Sequence, residues 1–312
     1  MLRYIVNRLM FTVPVLLAVL TSVFFIIRIV PGDPAVSALG DYASQSAVEA
    51  LREKMGLNEP LYMQYFFFLR DLLRGDLGTS LISGKSLGDQ IAYALPYTLE
   101  LMAASVLVGT LFGLPLGVFT ALNRNSLADY MGRIFSLLGL SMPSFFFAII
   151  LMLVFAVKLG VLPAIGGGDL GNPVDNLQHL VLPALTLGLI MVASTTRLTR
   201  SAMLNVLSED FVRTARAKGL EERAVIFRHA LRAAMVPVVS LIGLWVISLS
   251  GGSLIMEVVF SRPGLGKIMV GAVMQRDYTT LQSMVVIYTL FVVLVNLLTE
   301  LIYSLVDPRI TH

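Results

Sequence analysis

Few residues in this chain could do chemistry, and their spacing argues against catalysis. There is no GxxxxGK[ST] phosphate loop and no HExxH, and His179, His229 and His312 are too scattered to share one metal. The chain has no cysteine, so disulfides, thiolate metal centres and a cysteine nucleophile are excluded. Fifteen methionines are spread through apolar runs, where core packing explains them better than a soft-metal path. Glu100 and Glu300 fall near the ends of such runs, where a carboxylate reaches an interface. Acids deep within the runs, which a proton-coupled pump would carry, are nearly absent. The reading is a chain that is not an enzyme and holds no cofactor and no metal of its own.

What remains is recognition chemistry, concentrated in residues 208–232, SEDFVRTARAKGLEERAVIFRHALR. Ser208 is a good N-cap, and Glu209 and Asp210 suit the positive end of a helix dipole. Arg213, Arg216 and Lys218 suit its negative end, and Gly219 stands where a left-handed residue closes a helix. A second helix is predicted from Leu220, with Glu221 and Glu222 in its first turn. Phe227, Leu231 and Met235 at spacing four carry it along a membrane into the next apolar run. The result is a helix–glycine–helix elbow. Each charge would cost ~2.5–3.5 kcal/mol at a bilayer centre, so the elbow stays outside. On residue types alone it is either a solvated loop binding lipid headgroups or a docking element for a cytoplasmic protein.

The elements around it are those of a membrane protein. Of 312 residues 56% are apolar and only 14% charged, and mean hydropathy is +0.82. The fold class is therefore all-α and polytopic. Runs of ~20 apolar residues span a bilayer, and six qualify: 9–29, 99–122, 134–157, 180–196, 233–256 and 281–306. The fourth is the weakest, with about 17 residues between His179 and Arg197. The first lacks a small-x-small cleavage site and is read as an uncleaved span. Arg3, Arg8, Arg124, Arg133, Arg197, Arg200, Arg213, Arg216, Lys218, Arg223, Arg228, Arg232 and Arg309 fall on one side. Lys158, Arg262, Lys267 and Arg276 fall on the other, the long 31–94 segment apart. Thirteen against four puts both termini and the elbow in the cytoplasm.

Three regions follow: an N-terminal span (1–30), an outer segment (31–95) and a five-helix core (96–312) with a cytoplasmic loop at about 201–232. In the outer segment PGDP (31–34) is a turn. SQSAVEALREKMG predicts a helix capped by Ser46 and stopped at Gly56, with Ala47, Ala50 and Leu51 on one face. LYMQYFFFLRDLLRG predicts an amphipathic helix ending at Gly75, its aromatics on the membrane surface or on the bundle. The segment is either a cap or a docking surface for an external partner.

Within the spans Gly109, Gly113 and Gly117 form an i, i+4, i+8 stripe suited to close helix packing or, less directly, to lining a path. Pro115 and Pro143 are candidate kinks. Ser240, Gly243, Ile247 and Ser250, followed by Gly251 and Gly252, make a small, mildly polar face suited to tight packing or to a translocation path. The glycine pair is read as a break where a gate bends. SRPGLGKIMVGAVMQ predicts a short interfacial or re-entrant helix, which with Arg276 and Asp277 either receives substrate or caps the bundle.

RTARAKGL followed by HALRAAMVPVV resembles the cytoplasmic EAA loop of binding-protein-dependent ABC transporter permeases, specifically the dipeptide, oligopeptide and nickel class. Arg213, Thr214 and Ala215 stand at the EAA places and Gly219 at the glycine; Arg213 replaces the usual Glu, and Arg232 a frequent Pro. MLRYIVNRL, PGDP, GDLGTS (75–80), SMPSF (141–145), SRPGLGK (261–267) and RDYTTLQ (276–282, with Thr279 for the usual Pro) resemble the same class over nearly the full length. The opening span and outer segment resemble its B-type subunit.

The resemblance implies a permease in the cytoplasmic membrane of a bacterium or archaeon. It implies a second, C-type permease, two cytoplasmic ATPase subunits holding ATP and Mg, and an extracytoplasmic solute-binding protein; lipid surrounds the spans and no nucleic acid is involved. The elbow is then the coupling helix. Ala215, Ala217, Gly219 and Leu220 would sit in an ATPase groove, with Arg213, Arg216 and Lys218 on its rim and Thr214 and Glu221 within the same interface. A di- or oligopeptide is the expected solute; a nickel chelate, glutathione, an opine or a sugar are alternatives. A stand-alone carrier or channel, the competing class, would move solute unaided, and the lack of buried acids and inverted repeats argues against it.

Overall fold

A computed structural model describes residues 2–29, 33–40 and 43–306, without the side chains of 2–9, 11, 12, 37, 38 and 300–306. Pro31 and Gly32 of the expected turn, the side chains of Arg3, Arg8 and Glu300, and Arg309 and His312 thus lie outside the described residues. The chain is helical almost throughout. In order it forms α1 (Leu2–Ile29), α2 (Pro34–Leu39), α3 (Gln45–Lys54), α4 (Leu61–Leu73), α5 (Leu87–Leu122) and α6 (Leu127–Ser141). Next come α7 (Ser144–Leu151), continued by a π-helical stretch Met152–Lys158, then α8 (Pro173–Leu207) and α9 (Asp210–Ala217). The short α10 (Glu222–Ala224) runs through π-helical Val225–Ala230 into α11 (Leu231–Val259), followed by α12 (Leu265–Gln275) and α13 (Tyr278–Val306). An antiparallel bridge, Thr79 to Ser86, is the strand-like pairing among the described residues.

Among the described residues four helices are long and apolar enough to cross a membrane: α5, α8, Glu222–Val259 and α13. A fifth crosses if α6 and α7 make one span, and the described stretch Val13–Ile29 of α1 is a shorter apolar helix.

The chain divides into two compact units. The first runs up to Thr98 and includes Pro263–Leu294. Its core gathers Leu87, Ile91 and Ala94 of α5 with Leu265 of α12 and Met284 of α13, and the Leu265 N–H donates to Thr98 Oγ1 at 3.0 Å. On α4, Tyr65 and Phe68 turn to α1, where Phe24 meets them at ring distances of 5.1 and 5.7 Å; Phe66 stays exposed. The helix expected from Ser46 is instead capped by Ser44, whose hydroxyl accepts the Ala47 N–H at 3.3 Å. Ser46 is already helical.

The second unit comprises Leu99–Arg262 and the chain from Val295. α8 is its centre, with α6, α7 and α11 packed on it. Its buried face runs from Leu182 to Met203 and includes Thr186, Thr195, Thr196 and Thr199. That explains why the fourth span reads weakly. A helix enclosed by protein needs small and polar packing residues more than lipid-facing ones, and α8 extends well past 180–196 at both ends.

Three further expectations are corrected. Pro143 does more than kink one span, because 134–157 is two helices bent by 108°. The chain turns extended at Met142 (ψ 131°) and Pro143 (ψ 135°), as the residue before a proline favours. Residues 87–94 belong to α5 and not to an outer loop, their signal being an amphipathic 87/91/94 face that a hydropathy window misses. No break occurs at Gly251–Gly252, and α11 runs through both. Each glycine keeps its i→i−4 hydrogen bonding, and a helix interior tolerates Gly at ~1 kcal/mol apiece.

Candidate functional site

The elbow begins where α8 ends. Ser208 caps the C-terminus of α8, its hydroxyl donating to the Asn205 carbonyl at 2.7 Å. It is not the N-cap of α9, a place taken by Glu209 without a side-chain bond. Only Ser208 and Glu209 separate the two helices, so the first serves the helix behind it.

α9 is two-faced. Val212 is fully buried and Ala215 is 7% exposed. Both join a cluster with Val118 and Ala121 of α5, Ala202 and Met203 of α8, Val225 and Ala230 of the π-helical stretch, and Ala234 and Val238 in the first turns of α11. Ala215 therefore points into the chain's own core, which corrects its expected place in a partner's groove; spacing alone does not tell which side of an eight-residue helix its small residues occupy. The outward side presents Arg213, Thr214, Arg216, Ala217 and Lys218, together with Phe211, an exposed aromatic that charge-based reading passed over. Its i, i+3 spacing to Thr214 was the available signal.

The turn is closed by backbone chemistry. The Gly219 N–H donates to the Arg216 carbonyl at 2.9 Å and the Leu220 N–H to the Ala215 carbonyl at 3.4 Å, a Schellman pair. It requires a left-handed residue, and Gly219 has φ +75° with open space where a Cβ would stand. The glycine is there for its dihedral angle and not for close approach. Across it, Arg216 Nη2 donates to Glu222 Oε1 at 2.7 Å and Nε to Oε2 at 3.1 Å. Gly219, Leu220 and Glu221 are exposed at the bend.

Near the same end of the second unit lies a buried carboxylate. Asp129 receives Arg200 through Nε at 2.5 Å and Nη2 at 2.8 Å, pairs with Arg133 one turn along α6, and accepts the Asn125 N–H at 3.0 Å. The Asp129–Arg133 spacing is visible in sequence; Arg200, on another helix, is not.

The glycine stripe of α5 faces α8. A Cβ at Gly109 would stand 2.4 Å from Met191 Cγ, at Gly113 2.7 Å from Thr195 Cβ, and at Gly117 2.5 Å from Thr199 Cβ. Along α11, Gly243 and Ser250 are buried, Ile247 and Gly252 half-buried, and Ser240 and Gly251 exposed. The stripe thus follows the edge of a buried face and is not one uniform surface. The Ser240 and Ser250 hydroxyls also donate to carbonyls of their own helix, at 3.2 and 3.4 Å.

Glu100 stands at the start of the apolar run of α5 but not at the start of the helix. α5 starts twelve residues before the apolar run, so Glu100 lies within the helix. Its Oε2 takes Arg262 Nη2 at 2.8 Å, and both its oxygens take the Asn176 amide, at 3.1 and 3.0 Å. Arg262 is fully buried and also donates to the Gly167 carbonyl at 3.1 Å. Glu257, buried at the end of α11, was missed because it sits just past the apolar run.

Family profiles cover almost the whole chain. "Binding-prot-dependent transport system membrane comp, N-term" matches residues 1–102 and "Binding-protein-dependent transport system inner membrane component" residues 113–312. The chain belongs to this family. Among curated relatives, a glutathione transport system permease protein of Pectobacterium atrosepticum is 39% identical over all of both chains. An oligopeptide transport system permease protein of Bacillus subtilis is 40% identical, and a dipeptide transport system permease protein of Alkalihalophilus pseudofirmus 38% identical, each again over all of both chains. Two inward-facing structures of the MetNI methionine ABC transporter share the fold at TM-scores of 0.54 and 0.56. Each has 20% identity and covers 70% of this chain and 96% of the other. As a family member the chain is a membrane permease subunit of binding-protein-dependent transport, and its family works with a solute-binding protein and an ATPase.

Proposed function

We propose that this chain is the B-type permease of an ATP-driven importer that passes a di- or oligopeptide from an extracytoplasmic binding protein into the cytoplasm. The names of its relatives, which specify glutathione, oligopeptide and dipeptide transport, support a peptide-class solute. In this reading a C-type permease completes the pore, and two ATPase subunits bring ATP and Mg. α1 supplies a sixth span, and both termini and the elbow lie in the cytoplasm of a bacterium or archaeon. The regions 1–30, 31–95 and 96–312 then serve as anchor, outer segment and pore-forming core. Gly109, Gly113 and Gly117 hold α5 on α8, and the Ser240 to Gly252 edge of α11 borders the path.

One observation carries the coupling role: the elbow is exposed on one side and rooted in the helix core on the other. Arg213, Thr214, Arg216, Ala217, Lys218, Gly219, Leu220 and Glu221 form the surface offered to an ATPase. Ala215 acts from behind, with Val212, by fixing α9 to α8 and α11. A push on the outer face is thereby delivered to those long helices. Driving a two-state pore from 1:99 to 99:1 takes ~5.5 kcal/mol of differential binding, which a rooted elbow transmits and a loose loop does not.

The test is uptake of a labelled dipeptide into proteoliposomes holding the complex. Uptake should need both ATP and the binding protein, and Phe211→Ala with Leu220→Ala should uncouple hydrolysis from it. Peptide movement by this chain alone, without ATP, would refute the scheme.

A further inference from the structure

The first unit carries a half-open cavity of about 770 Å³ that the import scheme does not use. That volume is in the range of small-molecule sites. Its walls mix apolar groups, Phe67 among them, with polar ones, and its charged lining is set apart by what it leaves unpaired.

Arg28, in the last turn of α1, lines the cavity. Its Nε donates to Gln64 Oε1 at 3.0 Å, and its Nη1 to Gln282 Oε1 and to the Phe24 carbonyl, both at 3.3 Å. The guanidinium carbon lies 3.5 Å from the centre of the Phe24 ring. Every one of these partners is neutral, and among the described residues no carboxylate pairs with Arg28 and no group takes its Nη2. A half-buried guanidinium held this way has lost water without gaining an anion. The geometry is also preset: Gln64 is fixed by its own amide, which donates to the Leu57 and Glu59 carbonyls at 3.1 and 2.8 Å.

The acids of the same lining divide differently. Asp33 is engaged by Arg52, and Asp71 by the neighbouring Arg70 at 2.8 Å. Asp76, an exposed residue of the lining, accepts the Gly78 N–H at 2.8 Å and has no basic partner among the described residues. The cavity is left with one uncommitted cation and one uncommitted carboxylate. A ligand carrying only negative charge would meet Asp76 unfavourably, and one carrying only positive charge would meet Arg28.

We propose that this cavity binds a zwitterion, its anionic group on Arg28 beside Gln64 and Gln282 and its ammonium group on the Asp76 side. Two sources share that chemistry: a free peptide with both termini charged, and a phosphatidylethanolamine headgroup. The inference stands apart from the import reading, which is judged by uptake.

The full-length chain, purified with its membrane partners but without binding protein, is placed in nanodiscs of phosphatidylglycerol alone and titrated calorimetrically with dialanine. Saturable binding should weaken at least tenfold when the peptide is C-terminally amidated or N-acetylated. It should weaken as much in Arg28→Gln and Asp76→Asn, and largely persist in Arg28→Lys. In the second arm, lipids retained from native membranes are measured by mass spectrometry. Enrichment of phosphatidylethanolamine that is lost in Arg28→Gln supports the site with the headgroup as occupant. If Arg28→Gln does not fold, Asp76→Asn and the two blocked peptides carry the test on their own. Equal binding of the blocked peptides, or absence of both saturable dialanine binding and Arg28- or Asp76-dependent lipid retention, overturns the proposal.

Discussion

Arg216 and Glu222 meet across Gly219 in a two-pronged pair, 2.7 Å for one prong and 3.1 Å for the other. The pair ties the end of α9 to the start of α10, so the elbow has a fixed angle although the backbone between them is exposed. Both side chains face solvent, where such pairs contribute little to overall stability. Their contribution is orientation. Glu222→Gln should leave the melting temperature unchanged while lowering ATP-driven uptake several-fold, and Arg216→Lys, which lacks the planar fork, should do the same. A melting shift with unaltered uptake would contradict this.

Substitutions at Gly219 separate angle from space. Nothing lies within 4 Å of a Cβ there, yet φ is +75°. An ordinary L-residue costs ~1–2 kcal/mol in that conformation, and Asn less. The expected order of uptake is Gly219, then Gly219→Asn, then Gly219→Ala, with Gly219→Val lowest because a branched Cβ suits the left-handed region worst. Equal uptake by the Asn and Val variants would show that the bend is not held left-handed.

Along the α5–α8 contact the three glycines should not respond equally. An alanine at Gly109 meets the Cγ and Sδ of Met191 at 2.4 Å, which can swing aside, and the Met191 Cβ at 2.7 Å as its one fixed neighbour. At Gly117 it meets two fixed neighbours, Thr199 Cβ at 2.5 Å and the Thr196 backbone oxygen at 2.9 Å. Overpacking costs typically ~1–3 kcal/mol, so Gly117→Ala should fall at the upper end and Gly109→Ala at the lower. Thermal unfolding in detergent measures both.

Asp277 makes the first unit acid-sensitive. Burial acts to raise its pKa, but the hydrogen bonds from Ser80 and Thr280, and the Thr280 and Leu81 N–H groups, outweigh it and hold the carboxyl below its usual value. A depressed folded value means that the stabilisation is fully present above the ordinary carboxylate pKa, ~3.9, and is lost as pH falls through the lower folded one. Asp277→Asn should therefore be less stable than wild type at pH 7. The two should converge as the pH drops below about 4, and parallel stability curves over that range would remove the assignment.

The membrane class, the elbow and the glycine stripe were legible because each depends on local pattern: hydropathy, capping order, i+4 spacing. Ser208, Ala215 and the extent of α8 were not. Which helix a two-residue linker serves, which way an eight-residue helix faces, and how much of a span is wrapped by protein are all decided by tertiary neighbours. Glu100 shows the same limit, since nothing near it in sequence announces Arg262.

That pair gives the last prediction. Arg262 is fully buried and pairs with Glu100, whose side chain keeps 33% of its surface exposed. Removing one member of a buried pair strands the other charge, at a typical cost of ~3–5 kcal/mol. Here Glu100's exposure and the Asn176 and Gly167 bonds to Arg262 soften that, so Glu100→Leu should cost about 2–3 kcal/mol. Replacing both, Glu100→Leu with Arg262→Met, should recover part of the loss because the guanidinium that lost Glu100 is then gone as well. If the double variant is as unstable as the sum of the singles in equilibrium unfolding, the two residues act independently, and the buried guanidinium is held by its other partners instead.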